Sequence, residues 1–265
     1  MEHWLSAIIL GLVEGLTEFL PVSSTGHLIL AGHLLDFTGP KADSFEIIIQ
    51  LGAILAVAVM YRQRFFGLLR NNPRKRFSGV RGLSLLALTS LPASLVGLFA
   101  HKAIKTYLFG PVTVALALAV GAVAILVVEA MPRKNRYYSL DEVTPGLALF
   151  VGLFQCLALW PGFSRSAATI MGGMIYGAKR SLAAEYSFIA AVPIMIAATG
   201  YDFYKNAALF SSSDLTVLAI GFVVSFISAW VAVKTFIAML GRMTLRPFAL
   251  YRFVLAAAVF LFWPN

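Results

Sequence analysis

The sequence predicts an all-α polytopic membrane protein, with six transmembrane helices and two re-entrant helical hairpins arranged as an inverted repeat. Three observations carry that expectation. First, the 265 residues are 60% hydrophobic and only 12% charged, against roughly 25% charged in soluble domains, and mean hydropathy is +0.84. A chain with so little polar surface cannot clothe a water-facing exterior, so one integral membrane domain over residues 1–265 is expected. Second, fourteen of the 21 Lys and Arg residues sit in four clusters beside apolar runs. Third, two apolar regions are broken at their midpoints by polar segments that resemble each other.

The elements follow in chain order. Ala7 to Leu12 is apolar, but Glu2 precedes it and Glu14 and Glu18 follow, with no basic segment ahead and no small-residue cleavage site behind. It is therefore expected to be retained rather than cleaved as a signal. Apolar segments of spanning length lie at about 45–61, 83–100, 111–131, 185–201, 215–240 and 247–263. Residues 4–35 and 146–182 are also apolar, but Pro21-Val22-Ser23-Ser24-Thr25-Gly26 interrupts the first and Pro161-Gly162-Phe163-Ser164-Arg165-Ser166 the second. Each reads as a helix, a break and a second short helix, a re-entrant hairpin whose irregular backbone must be buried in protein or line a wet cavity.

Charge sets the orientation. Threading the chain inward at residue 44 brings Arg62 to Arg81, Arg133 to Arg136, Lys179 with Arg180, and Arg242 with Arg246 to one side, leaving Lys41, Lys102, Lys105 and Lys205 on the other. That asymmetry places the four clusters in the cytoplasm, so residues 62–81 and 133–142 are expected inside and residues 36–44 and 202–214 outside. A net charge of +9 then reflects membrane topology and anionic lipid, and no nucleic-acid partner is expected. Cys156 is the sole cysteine, which excludes an intramolecular disulfide.

The two broken regions align when the chain is slid by 141 residues, pairing Gly11 with Gly152, Glu14 with Gln155, Phe19 with Trp160, Ser23 with Ser164 and Thr25 with Ser166. Each half, about 1–132 and 142–265, then holds one hairpin and three spans. An odd number of crossings inverts the halves, so the hairpins enter from opposite faces and their polar tips meet near mid-membrane.

Glu14 and Glu18 are four residues apart and share a helical face. A charge at bilayer depth costs at least ~2.5–3.5 kcal/mol, and two neighbouring carboxylates repel. A divalent cation, Mg²⁺ or Ca²⁺, would offset both costs, since such ions accept one or two carboxylates plus phosphate oxygens. A protonated glutamate acting as acid or base is the other chemical reading, and a structural polar pair the bland one. The following break adds Ser23, Ser24, Thr25 and His27, hydroxyls and an imidazole at a helix start, where free amides bind phosphate or where Ser and Thr simply cap. Arg165 between Ser164 and Ser166 requires an anion or a carboxylate, so a phosphate clamp and a bridge to Glu14 or Glu18 are the two readings.

The segments EGLTEFLPVSSTGH (Glu14 to His27) and LWPGFSRSAAT (Leu159 to Thr169) resemble the two signature motifs of the undecaprenyl-diphosphate phosphatase family of the bacitracin-resistance type. FEIIIQLGAILAV (Phe45 to Val57) and FALYRF (Phe248 to Phe253) are similar to further family segments, so the likeness covers nearly the whole chain. Ala167 stands where the family usually has glycine. The resemblance implies hydrolysis of a polyprenyl diphosphate lipid, undecaprenyl diphosphate, to the monophosphate and phosphate, recycling the carrier of peptidoglycan synthesis. It also implies a divalent cation and a site in the bacterial inner membrane opening to the periplasm.

Expected roles are metal binding by Glu14 and Glu18, with Glu18 a base; attack by Ser24; acid or base chemistry by His27; and a clamp of Arg165 with Ser164 and Ser166. Ser23, Thr25 and Thr169 are expected to complete substrate binding. Attack by His27 or directly by water stays open, as does assembly into a homodimer. A secondary transporter or flippase for an anionic lipid or solute is the rival function, because inverted repeats with broken helices also build transporters.

Overall fold

A computed structural model describes residues 3–132, 134–206 and 214–263. Arg133, and residues 207–213 of the expected outer loop 202–214, lie outside the described residues. Eleven α-helices carry the fold of the described residues: α1 (His3–Thr17), α2 (Ser24–Leu34), α3 (Pro40–Met60), α4 (Arg62–Gly67), α5 (Gly79–Ala103), α6 (Pro111–Ala130), α7 (Pro145–Gln155), α8 (Arg165–Tyr176), α9 (Arg180–Asn206), α10 (Leu215–Leu240) and α11 (Arg246–Phe262). Among these residues no strand forms beyond an isolated bridge between Tyr137 and Ala178.

Five helices are long and apolar enough to cross a bilayer, over Pro40–Met60, Gly79–Ala100, Pro111–Ala130, Arg180–Tyr201 and Leu215–Leu240. The chain is thus an all-α, multi-pass membrane protein. The sixth expected span corresponds to α11, which at 17 residues sits at the short end of the ~17–25 residues a crossing takes. Trp4–Thr17 and Pro145–Leu159 are the shorter apolar helices, and each leads into one of the two breaks.

Several helix pairings of the first part of the chain recur in the second. α1 packs on α10 as α7 packs on α5; α3 meets α10 as α9 meets α5; α2 touches α11 as α8 touches α6; and α3 with α9, and α6 with α11, pair across the middle. One pair of close approaches repeats in the same way. A Cβ on Gly11 would lie 2.7 Å from the Gly221 carbonyl oxygen of α10, and one on Gly152, 141 residues later, 2.6 Å from the Thr89 carbonyl oxygen of α5. With no hydrophobic drive between helices in lipid, such backbone contact through small residues is what holds a bundle together.

Each break ends on a serine forced into the left-handed region, Ser23 with φ 71° and ψ 98° and Ser164 with φ 76° and ψ 116°. Non-glycine residues rarely adopt this conformation. These two serines occupy equivalent positions in the 141-residue alignment, so the two breaks share backbone geometry as well as sequence.

Gly152→Ala is expected to cost about 1–3 kcal/mol of stability, because the methyl meets main chain that has no flexible end to yield. Gly67→Ala, where a Cβ meets nothing within 4 Å, is expected to leave the melting temperature in detergent unchanged. Equal melting of the two variants would remove the close-contact argument.

Candidate active site

The two breaks meet at one cavity of ≈ 360 Å³, lined on its polar side by Glu18, Ser23, Ser24, Thr25, Gln50, Gln155, Ser164 and Arg165. Its apolar wall includes Ala93, Ala158, Leu159, Ile194, Met195 and Ala198. Glu18 leaves the C-terminal end of α1, Ser24 opens α2 and Arg165 opens α8, so three interrupted elements converge where an uninterrupted helix would present only hydrogen-bonded main chain.

Glu18 is the hub. Its Oε2 accepts a hydrogen bond of 2.6 Å from Ser24 Oγ, and its Oε1 accepts one of 3.1 Å from Arg165 Nη2. A hydroxyl within hydrogen-bond reach of a carboxylate that a third group orients is the geometry of an activated nucleophile. Arg165 is fixed by Nη1 donating to the Ser187 carbonyl at 3.4 Å, and its Cζ lies 5.2 Å from the centre of the Phe19 ring. The expected bridge therefore forms, with Glu18 rather than Glu14 as the partner.

Unsatisfied polarity concentrates in the same place. Among the described residues, the buried side-chain atoms without a hydrogen-bond partner are both carboxylate oxygens of Glu14, Gln155 Oε1 and Arg165 Nε. Buried polar atoms are nearly always paired; Gln155 Oε1 and Arg165 Nε belong to residues of the cavity wall and mark a place for a polar guest, whereas Glu14 is buried and is not among the residues that line the cavity. Glu14 lies one turn before Glu18 with its carboxylate free, and the donor set is all oxygen. Among the described residues no group of three His, Cys, Asp or Glu forms; Glu14 and Glu18 are the two carboxylates that would hold a hard cation, with substrate oxygens completing its shell.

The remaining predicted residues fall into two groups. Ser23, Thr25 and Ser164 line the cavity. Ser166, fully buried, donates instead to the Leu20 carbonyl at 2.7 Å and ties the second break to the first. Thr169 bonds the Arg165 carbonyl at 2.8 Å and the Ser187 hydroxyl at 2.5 Å, which anchors the first turn of α8. Neither lines the cavity. Ala167, where a glycine was expected, is fully buried and its amide donates to Ser164 Oγ at 3.3 Å.

His27 is placed elsewhere. Its Nδ1 donates to the Ser23 carbonyl at 2.7 Å, which leaves Nε2 to accept from the Tyr251 hydroxyl at 2.6 Å. The ring stacks on Tyr251 with centroids 5.5 Å apart and faces a separate apolar groove with Leu16, Val22 and Phe248. Both nitrogens are thus engaged away from the cavity. Sequence reasoning also passed over Gln50 and Gln155 as wall residues; Gln155 had a signal, its alignment with Glu14.

Comparison with known proteins places this geometry in context. The family described as Bacitracin resistance protein BacA matches residues 7–258. A protein of Solidesulfovibrio magneticus named undecaprenyl-diphosphatase is 69% identical over 265 residues, covering 100% of both chains. Proteins of the same name from Maridesulfovibrio salexigens and Lawsonia intracellularis are 66% identical over 263 residues and 54% identical over 264, covering 98% or more of this chain and of each relative. The chain belongs to the bacitracin resistance protein BacA family.

Proposed function

We propose that the chain is an undecaprenyl-diphosphatase, hydrolysing undecaprenyl diphosphate to undecaprenyl phosphate and inorganic phosphate and so recycling the lipid carrier of cell-wall synthesis. The observation that carries this reading is Glu18 holding Ser24 on one oxygen and Arg165 on the other. Ser24 Oγ attacks the terminal phosphorus while its proton passes to Glu18. The P–O bond to the inner phosphate breaks and undecaprenyl phosphate leaves. Glu18 passes that proton to the departing undecaprenyl phosphate; it then takes a proton from the water that attacks the phosphoserine, and as the P–Oγ bond breaks to free phosphate it returns the proton to Ser24 Oγ. Arg165 clamps the transferring group through N–H groups that include the unpartnered Nε, and Ser23, Thr25 and Ser164 bind its oxygens. Phosphoryl transfer needs this positioning and charge neutralisation more than covalent machinery.

Glu14 and Glu18 would hold Mg²⁺ or Ca²⁺, which when bound supplies positive charge to the diphosphate oxygens. The engagement of both His27 nitrogens outside the cavity supports Ser24 over His27 as nucleophile, and gives His27 the task of fixing the Ser23 carbonyl. The recurring helix pairings and the matched serines support six spans and two re-entrant hairpins in inverted halves of about 1–132 and 142–265. The charge asymmetry supports an inner-membrane protein whose basic loops are cytoplasmic and whose cavity opens to the periplasm. A cysteine replacing Lys75 is then expected to escape an impermeant reagent in intact cells; labelling there would reverse the orientation.

Phosphate release by the purified protein in detergent, where no gradient exists, separates hydrolysis from transport or flipping. In that assay Glu18→Gln is expected to abolish turnover, and Glu14→Gln to weaken it in a way that excess Mg²⁺ or Ca²⁺ partly restores. Undiminished activity of both variants with chelator present would remove the metal assignment.

Arg165→Lys conserves charge but not the planar fork. Losing a contact made in the transition state is expected to cost ~2.7–4 kcal/mol, about 10²–10³ in kcat. A purely structural Arg165–Glu18 bridge instead predicts a lower melting temperature with normal turnover by the folded fraction. Measuring both quantities on one preparation decides between them.

A further inference from the structure

Arg252 of α11 is a fully buried cation at 0% exposure, outside the cavity wall and unused by the chemistry above. All its hydrogen bonds go to main-chain carbonyls: Nε to Leu118 at 3.1 Å, Nη1 to Pro21 at 3.3 Å, and Nη2 to Ala117 at 3.2 Å and to Gly162 at 3.1 Å. Among the described residues no carboxylate pairs with it. Space for the guanidinium is left by Gly121, where a Cβ would stand 2.9 Å from Arg252 Cζ.

The choice of carbonyls is informative. Pro21 and Gly162 are 141 residues apart, so they occupy the same position in the two breaks, each two residues before the left-handed serine. One guanidinium thus joins the two breaks at equivalent points, while its other two bonds anchor it to α6. The groups next along the chain, Ser23 with Ser24 and Ser164 with Arg165, are those that line the cavity. A buried cation without a counterion is a poor way to gain stability, but a planar fork is well suited to fix several carbonyls at once.

We infer that Arg252 is a positioning residue for the reaction, setting the separation of the two breaks and hence of the Ser24–Glu18 pair from the Arg165 clamp. This rests on the reading that phosphoryl transfer occurs at the cavity. Reacting groups displaced by about 1 Å lose on the order of 10² in rate, and because each break keeps its own phosphate ligands, the loss falls on kcat rather than KM.

The test compares wild type with Arg252→Lys, which keeps the charge, and Gly121→Ala, which keeps the arginine but crowds it. Each full-length protein is purified in detergent and assayed with undecaprenyl diphosphate, and its melting temperature is recorded. In a Cys156→Ala background, cysteines at Leu20 and Ser166, one on each break, report the separation by their rate of disulfide closure. The expected result is folded protein with kcat lowered about 10²-fold, KM little changed and altered closure.

A raised KM with unchanged kcat would show that Arg252 acts on the substrate only as a distant charge, and overturns the proposal. A lower melting temperature with wild-type turnover and closure, or failure of both variants to fold, assigns Arg252 to the fold alone and also overturns it. If wild type itself releases no phosphate, the hydrolase reading fails, and the closure rates still decide whether Arg252 sets the separation.

Discussion

A main-chain carbonyl or amide without a partner costs several kcal/mol in apolar surroundings, and the molecule is arranged around two places where helices stop among buried side chains. Each break frees main-chain groups that pair only in part with their own neighbours, as the Leu20 carbonyl does with the Val22 N–H at 2.8 Å. The answer is side-chain donors brought from distant parts of the chain. Ser166 supplies the Leu20 carbonyl, Arg252 those of Pro21 and Gly162, and His27 that of Ser23. Because these donors belong to α8, α11 and α2, closing the breaks also locks the helices that surround them. The interruption that exposes helix ends to a phosphate is therefore the same feature that organises the bundle.

Electrostatics are balanced at the same point. Glu14 and Glu18 bring two carboxylates to the end of α1, and Arg165 meets only one of them. The bridge has a side-chain exposure of 15% for Arg165 and 7% for Glu18, so neither charge is well solvated and each depends on the other. A bridge of this kind contributes little net stability against an apolar pair. In the proposed reaction its effect is to hold a cation and a base in fixed relation beside a hydroxyl, preorganised for a charge that develops only during transfer.

How much of this was legible beforehand divides by physical cause. Five of the six expected spans, the breaks and the convergence of Glu18, Ser24 and Arg165 followed from signals that a sequence carries directly: apolar length, interruption by proline and small polar residues, and ionisable residues in apolar runs. The directions of His27, Ser166 and Thr169 did not. A residue in the first turn of a helix can face any of several neighbours, and the choice depends on which carbonyl is left open across the interface. For Ser166 that carbonyl belongs to Leu20, while Thr169 turns back on its own helix to the Arg165 carbonyl and meets the Ser187 hydroxyl of α9 across the interface. Gln155 illustrates an intermediate case, since its alignment with Glu14 was visible but an amide carries no mark of cost that singles it out. Arg252 lay inside a segment of family likeness, yet its role depends on carbonyls in three other elements.

The proposed repeat explains why the site has opposite characters on its two sides. In such a repeat equivalent break residues come together, and if both had kept the same chemistry, like charges would face each other across a poorly solvated cavity. The sequence avoids this position by position. Glu14 is matched by Gln155, which keeps the shape and removes the charge; Ser24 is matched by Arg165, which replaces a hydroxyl with a fork of donors. The backbone stays common, as the matched φ values of Ser23 and Ser164 record, while the side chains diverge into an anionic, hydroxyl-bearing half and a cationic half. A diphosphate placed between them would meet attacking and base groups from one side and stabilising N–H donors from the other. In-line transfer needs that polarity, and a symmetric cavity could not provide it.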